Sequence, residues 1–259
     1  MSADLRHGRW QDVLADVTCD AFISDPPYGE RTHAGQRHGR HDVRYDPNTS
    51  NALLSRRGFG YDHITPGDVA ALVSHWSPRT RGWFCAFTSH DLIAAYSDAL
   101  DAAGRYVFAP IACVQTGMNV RLAGDGPSNW TCWLVVARPR TMRAWGALPG
   151  AYVGSPHDPG TNQNDKTSGK TGGVKGAKPL WMMRAIVRDY SRPGDLVCDP
   201  YAGGGTTALA CLTEGRRAIG AEVDPDTHAK ATARLSTWQP SLFVPEIKAE
   251  AQDLFGGAK

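Results

Sequence analysis

Short apolar runs alternate with helical stripes along most of the chain. Ala21-Phe22-Ile23-Ser24 is an apolar run halted by Asp25-Pro26-Pro27. Proline cannot continue a sheet ladder, so the run predicts a strand with the Asp-Pro-Pro turn at its C-terminal end. Residues 81–88, 106–114, 130–137, 196–198 and 218–221 are further apolar runs of strand length. Between them, Val69, Leu72, Val73 and Trp76 recur on one helical face behind Thr65-Pro66-Gly67-Asp68, a helix start. Leu180, Met183, Val187 and Tyr190 mark a second amphipathic helix over 179–190. Residues 10–16, 91–103 (stopped by Gly104), the stretch after Gly205 to about Glu214, and 226–235 complete the helices. Strands interleaved with helices predict an α/β fold.

Two stretches break this pattern. Residues 29–60 carry Arg31, Arg37, Arg40, Arg44, Arg56 and Arg57, with His33, His38 and His41, and read as a long mobile loop. Loops of that length are usually functional. Residues 138–177 are rich in Gly, Pro, Ser, Thr and Asn, with Lys166, Lys170 and Lys175, and read as a small irregular subdomain or an exposed insertion.

The total charge narrows the partners. With a formal net charge of only +2, any nucleic-acid-binding charge has to be local. The six cysteines form no Cys-x-x-Cys pair and mostly sit in apolar runs, which predicts buried, reduced thiols and neither a zinc site nor a disulfide framework. No cysteine or acid completes a tetrahedral set with the three loop histidines, so no metal is expected. The N-terminus lacks a signal-peptide core and no apolar run reaches membrane-spanning length, so a cytoplasmic protein is expected.

Two segments carry candidate chemistry. Asp199-Pro200-Tyr201-Ala202-Gly203-Gly204-Gly205-Thr206-Thr207 lies between a strand and a helix, and a second strand follows, ending at Glu222. This is one βαβ half of a nucleotide-binding fold, in which glycines admit a ligand close to the backbone and the acid holds ribose hydroxyls. The loop lacks both Gly-x-Gly-x-x-Gly and Gly-Lys-Ser/Thr, and Asp199 suits a cationic or amine-bearing ligand better than a pyrophosphate. The second segment is Asp25-Pro26-Pro27-Tyr28. Methylating an aromatic amine requires acceptors that hold the amine and favour its developing positive charge. The Asp25 carboxylate and a Pro26 or Pro27 carbonyl are such acceptors, on a backbone that the prolines restrict. Tyr28 offers a face on which a flipped base can stack. Read alone, each segment is also compatible with an ordinary turn.

Together the two segments resemble the amino-methylating DNA methyltransferases, with catalytic motif Asp/Asn/Ser-Pro-Pro-Tyr/Phe/Trp and cofactor motif Asp-Pro-Phe/Tyr-x-Gly-x-Gly-Thr-Thr. Lys178-Pro179-Leu180 is similar to the Lys-Pro-x-x-Leu element that precedes the cofactor motif, and Gly220-Ala221-Glu222 to its ribose-binding acid. The catalytic motif precedes the cofactor motif, as in the β-type circular permutation. Residues 188–195 also resemble phage and prophage members.

The resemblance implies a Rossmann-like, S-adenosylmethionine-dependent methyltransferase fold: a seven-stranded mixed sheet with helices on both faces and one antiparallel strand. It divides the chain into a catalytic half (1–137), a target-recognition insertion (138–177), a cofactor-binding half (178–237) and a tail (238–259). It assigns catalysis to Asp25, Pro26, Pro27 and Tyr28. It assigns S-adenosylmethionine to Lys178, Asp199, Pro200, Tyr201, Gly203, Gly205, Thr206, Thr207 and Glu222, without a metal. Double-stranded DNA is the implied partner, with Arg31, Arg37, Arg40, Arg44, Lys166, Lys170 and Lys175 as candidate contacts; solvated loops account for these charges equally well. A homodimer and a cognate restriction enzyme are compatible with the family. Asp at the first motif position leans towards adenine N6, with cytosine N4 as the alternative. A DNA-binding decoy with the same fold, or an enzyme acting on RNA or a protein amide, stays open. The chain departs from many relatives at His7-Gly8-Arg9-Trp10, where the family has a Gly-Asp whose acid contacts the cofactor's adenine; Asp12, the backbone or Trp10 is left to serve instead.

Overall fold

The computed structural model describes residues 1–30, 63–117, 127–155 and 177–239. The basic residues Arg31, Arg37, Arg40, Arg44, Lys166, Lys170 and Lys175, and the histidines of the 29–60 stretch, lie outside them.

Nine strands form one sheet among the described residues: β1 (Ala3–His7), β2 (Ala21–Ser24), β3 (Phe84–Thr88), β4 (Arg105–Val107), β5 (Ile111–Gln115), β6 (Thr131–Pro139), β7 (Ala151–Gly154), β8 (Leu196–Asp199) and β9 (Arg217–Glu222). The order is β1-β9-β8-β2-β3-β6-β5-β7, with β4 also on β6. Only β6 runs against the others, being antiparallel to β3, β4 and β5. The mixed sheet with one reversed strand is as expected; the strand count of seven is not. One reason is local. The run 106–114, read as a single strand, is two, because Pro110 has no N–H to give the ladder. Val107 faces Ala137 and Ile111 faces Leu134, so four chain steps oppose three and one residue bulges out. The other reason is β7, which lies inside the expected insertion and pairs parallel with β5.

The helices are α1 (Trp10–Val13), α2 (Pro66–Trp76), α3 (Ile93–Ala102), α4 (Leu180–Tyr190), α5 (Thr206–Thr213) and α6 (Pro225–Ser236). A capping box starts α2: Thr65 Oγ1 accepts from the Asp68 N–H, and the Asp68 carboxylate accepts from the Thr65 N–H. The strands bury both faces. Ala21, Ile23, Cys85, Phe87, Leu134, Val136 and Val197 face α4 and α5. Phe22, Phe84, Ala86, Val135, Ala137, Cys198 and Ile219 face α1, α2 and α3. Two-sided burial explains why these strands read as continuous apolar runs without alternation. Each large side chain so buried contributes about 1.5–3 kcal/mol.

Two buried arginines tie the frame together. Arg105 donates to Ser77 Oγ at 2.9 Å and to the carbonyls of Gly82, Ser77 and Thr80 at 2.6–2.7 Å, locking the end of α2 to the start of β3. Arg216 donates to Ser191 Oγ and to the Ser191 and Glu214 carbonyls, closing the C-terminal end of α4. No described helix is long and apolar enough to cross a membrane.

Candidate active site

The parallel strands β2 and β8 are hydrogen-bonded neighbours, with Ala21 opposite Val197 and Phe22 opposite Cys198. Their C-terminal ends therefore lie side by side, and the two motifs begin there. Ser24, the last residue of β2, donates its hydroxyl to Asp199 Oδ1 at 2.6 Å. Open α/β sheets bind ligands at this end of their strands.

On the β2 side, the prolines end the ladder and Pro26 is buried. Asp25 Oδ2 accepts from the Lys178 ammonium at 2.5 Å. Asp25 Oδ1 is buried and has no hydrogen-bond partner among the described residues. Such an orphaned acceptor costs about 1–3 kcal/mol, which an arriving donor would recover. The Tyr28 hydroxyl is likewise buried without a hydrogen bond of ordinary geometry. Burial, and secondarily the Asp25 carboxylate, push this phenol well above its usual range, so Tyr28 acts as a neutral ring. The Gly29 N–H donates to Ser89 Oγ at 3.1 Å, and a Cβ on Gly29 would meet the Asp91 carboxylate at 2.3 Å. A larger residue behind Tyr28 would require Asp91 or the motif to shift. The Ile64 N–H donates to the Tyr28 carbonyl at 3.2 Å, so the chain returns to the motif after the 29–60 stretch.

On the β8 side, Asp199 is 5% exposed. Burial raises its carboxyl to about 6, against the opposing hydrogen bonds from Ser24, Thr207 and the Tyr201 N–H. Pro200 is buried, and the Tyr201 hydroxyl accepts from Trp10 Nε1 at 3.2 Å. Gly203 has φ +49° and the space beside its Cα is open, the nearest atom to a Cβ there being the Tyr201 carbonyl at 4.0 Å. Gly205 has φ +73° and lies close to Ala231 of α6, which makes it a packing glycine as well as a turn glycine. Glu222 is held by the loop: Oε2 accepts from the Gly203 N–H at 2.9 Å and Oε1 from the Asp224 N–H at 2.8 Å. One lone pair on each oxygen is left for a ligand diol. Thr206 Oγ1 accepts from Arg234 at 3.0 Å, which gives this threonine a partner within the protein.

The site thus brings together Asp25, Tyr28, Lys178, Asp199, Tyr201, Gly203, Thr207 and Glu222. Lys178, expected with the cofactor group, has its ammonium on Asp25, 5.0 Å from the Tyr28 ring centroid and 4.9 Å from that of Phe87. Trp10 is buried against Trp76 and His75, while Asp12 is exposed. Ser24, Phe87 and Cys132 adjoin the site without having been marked in the sequence. Ser24 had a signal, its place immediately before Asp25; the other two come from strands whose register the sequence does not reveal.

The family model for DNA methylases matches residues 74–233. Over 65 residues the chain is 34% identical to the methylase YubD of Escherichia coli strain K12, spanning 25% of this chain and 29% of that one. Over 49 residues it is 39% identical to the DNA adenine methyltransferase YhdJ of the same strain, 19% of this chain and 17% of that one. The chain therefore aligns with less than a third of the length of these relatives. The M1.HpyAVI–SAM complex superimposes with TM-score 0.64 at 21% identity, over 90% of this chain and 98% of the other. The cytosine-N4-specific PvuII DNA methyltransferase superimposes with TM-score 0.56 at 14% identity, over 90% and 86%. These likenesses bear on the fold, and the match over residues 74–233 bears on descent: the chain belongs to the N6/N4 DNA methylase family.

Proposed function

We propose that this protein transfers a methyl group from S-adenosylmethionine to the exocyclic amine of a base flipped out of duplex DNA, with adenine N6 as the acceptor. The observation that carries the reading is Asp25 Oδ1, a buried carboxylate oxygen without a hydrogen bond of ordinary geometry among the described residues, set where β2 ends beside the acidic, glycine-lined end of β8.

The residues present fit S-adenosylmethionine. Asp199 is a buried acid for a cationic ligand, Glu222 is oriented for ribose hydroxyls, and Gly203 leaves space for close approach. When bound, this cofactor supplies a methyl group on a sulfonium, ready for in-line displacement. The chain's own residues then act by position and charge. Asp25 Oδ1 accepts a hydrogen bond from the amine and stabilises the positive charge that grows on it. The Pro26 carbonyl is a second acceptor, with little backbone freedom to lose. The uncharged Tyr28 ring stacks on the base and offsets the few kcal/mol of unstacking. Positioning of this kind can supply several kcal/mol of the barrier reduction.

Asp at the first motif position, together with the adenine methyltransferase YhdJ among the relatives, supports adenine over cytosine. Arg31, Arg37, Arg40 and Arg44 on one side, and Lys166, Lys170 and Lys175 on the other, are the proposed phosphate contacts. The test is nucleoside mass spectrometry of unmethylated DNA incubated with the protein and S-adenosylmethionine. N6-methyladenine is expected; N4-methylcytosine would overturn the adenine assignment, and no modified nucleoside would overturn the enzyme.

A further inference from the structure

Lys178 is a buried cation at a site where positive charge develops during the proposed reaction. Its side chain is 8% exposed. An ammonium so buried requires a partner, and its hydrogen bond goes to one oxygen of Asp25 at 2.5 Å. The faces of Tyr28 and Phe87 lie beside it, each about 5 Å from Nζ. The two Asp25 oxygens therefore differ: Oδ2 is held by Lys178, and Oδ1 makes no hydrogen bond of ordinary geometry among the described residues, although the Tyr28 hydroxyl lies close to this carboxylate.

We infer that Lys178 is a positioning residue that anchors Asp25 through Oδ2 and so dedicates Oδ1 to the substrate amine. This rests on the amine-methylation reading and adds a residue to it. A carboxylate free to rotate would offer either oxygen and lose orientation; a carboxylate pinned on one side offers one acceptor in one direction. Because the lysine bonds the oxygen that the amine does not use, its charge lies on the far side of the carboxylate. Several other groups face this pair. They are Tyr28 of the same segment, Cys113 of β5, Cys132 of β6, Tyr96 of α3 and Asp199 of β8. Among these described groups Lys178 is the cation; burial works against its charge, but the Asp25 carboxylate, and after it the cysteines, outweigh burial and leave its pKa above the usual lysine range. The element holding it, Lys178-Pro179, starts α4, whose buried face fixes its approach: Pro179 is the N-cap and Leu180 packs into the core.

A double-mutant cycle tests whether Lys178 acts through Asp25. Methyl transfer from tritiated S-adenosylmethionine into DNA from a methylation-free host gives kcat for wild type, Lys178→Met, Asp25→Asn and the double variant, and calorimetry gives each S-adenosylmethionine Kd. The expected result is a loss of about 10- to 100-fold for Lys178→Met in the wild-type background. The loss shrinks to under about threefold when Lys178→Met is added to Asp25→Asn, with the Kd unchanged within about threefold. A loss of equal size in both backgrounds overturns the inference. So does a Kd raised about tenfold or more with kcat intact, which would return Lys178 to the cofactor. Should Lys178→Met alone fail to fold, the double variant buries no charge at this pair, and its comparison with Asp25→Asn decides in the same terms. A wild-type protein that transfers no label would instead overturn the amine-methylation reading itself.

Discussion

Ser24 and Asp199 end two adjacent parallel strands, and the Ser24 hydroxyl donates to the Asp199 carboxylate at 2.6 Å. This one bond joins the segment proposed for catalysis to the segment proposed for the cofactor. Ser24 is fully buried, so no water replaces the bond if the hydroxyl is removed. Ser24→Ala is expected to cost about 1.5–3 kcal/mol of stability, since the acceptor is a carboxylate. It should also weaken S-adenosylmethionine binding. Chemical denaturation and calorimetry measure the two effects; an unchanged stability would contradict this account of the bond.

The pH dependence follows from Asp199. Burial holds its folded pKa at about 6, above the roughly 4 of a carboxyl in the unfolded chain. Between those values the folded state binds a proton that the unfolded chain does not, so this group lowers stability as pH rises. The cost is absent below about pH 4 and complete above about pH 6, where it reaches about 3 kcal/mol. Asp199→Asn removes the titration. Its stability relative to wild type should therefore improve from pH 4 to pH 7, as followed by thermal melting in matched buffers. Affinity for the cationic cofactor should run the other way in the wild type, falling as the pH drops through about 6.

Gly29→Ala tests the geometry behind Tyr28. A Cβ there would meet the Asp91 carboxylate at 2.3 Å, so either Asp91 or the motif has to move. A displacement of about 1 Å at the motif lowers kcat by about 100-fold. Cofactor affinity should stay near wild type, because Gly203 and Glu222 are on other segments. Steady-state kinetics beside calorimetry separates the two.

Arg105→Ala probes the frame away from the site. It removes four hydrogen bonds made by a residue that is 4% exposed and leaves three carbonyls and Ser77 Oγ short of a donor. A loss of about 3 kcal/mol is expected by denaturant titration, with cofactor affinity retained in the folded fraction.

Much of this arrangement is legible in the sequence, for reasons the structure makes plain. β2, β3, β6, β8 and β9 read as strands because both faces are buried. α2 reads as a helix because Thr65 and Asp68 cap it. The edges are harder. Among the described residues β1 pairs only with β9, and it spends Asp4 and Arg6 on an exposed ion pair, so its polar pattern hides a strand. β7 buries only Tyr152 of its four residues, and a glycine-rich neighbourhood disguises it. In the site, the two motifs are visible as motifs. The bond from Ser24 to Asp199 and the pairing of Lys178 with Asp25 are not, because each joins residues far apart in the chain whose meeting depends on sheet order. The family resemblance grouped Lys178 with the cofactor residues; in the fold its ammonium bonds the Asp25 carboxylate.

In the proposed reaction, amine methylation of DNA depends on Asp25, the residue directly after β2. The most direct measurement is long-read mapping of modified bases in a methylation-free host expressing the wild type, beside the same host expressing Asp25→Ala. The account predicts N6-methyladenine at one recurrent sequence with the wild type and none with Asp25→Ala. Wild-type DNA indistinguishable from the Asp25→Ala control would contradict it.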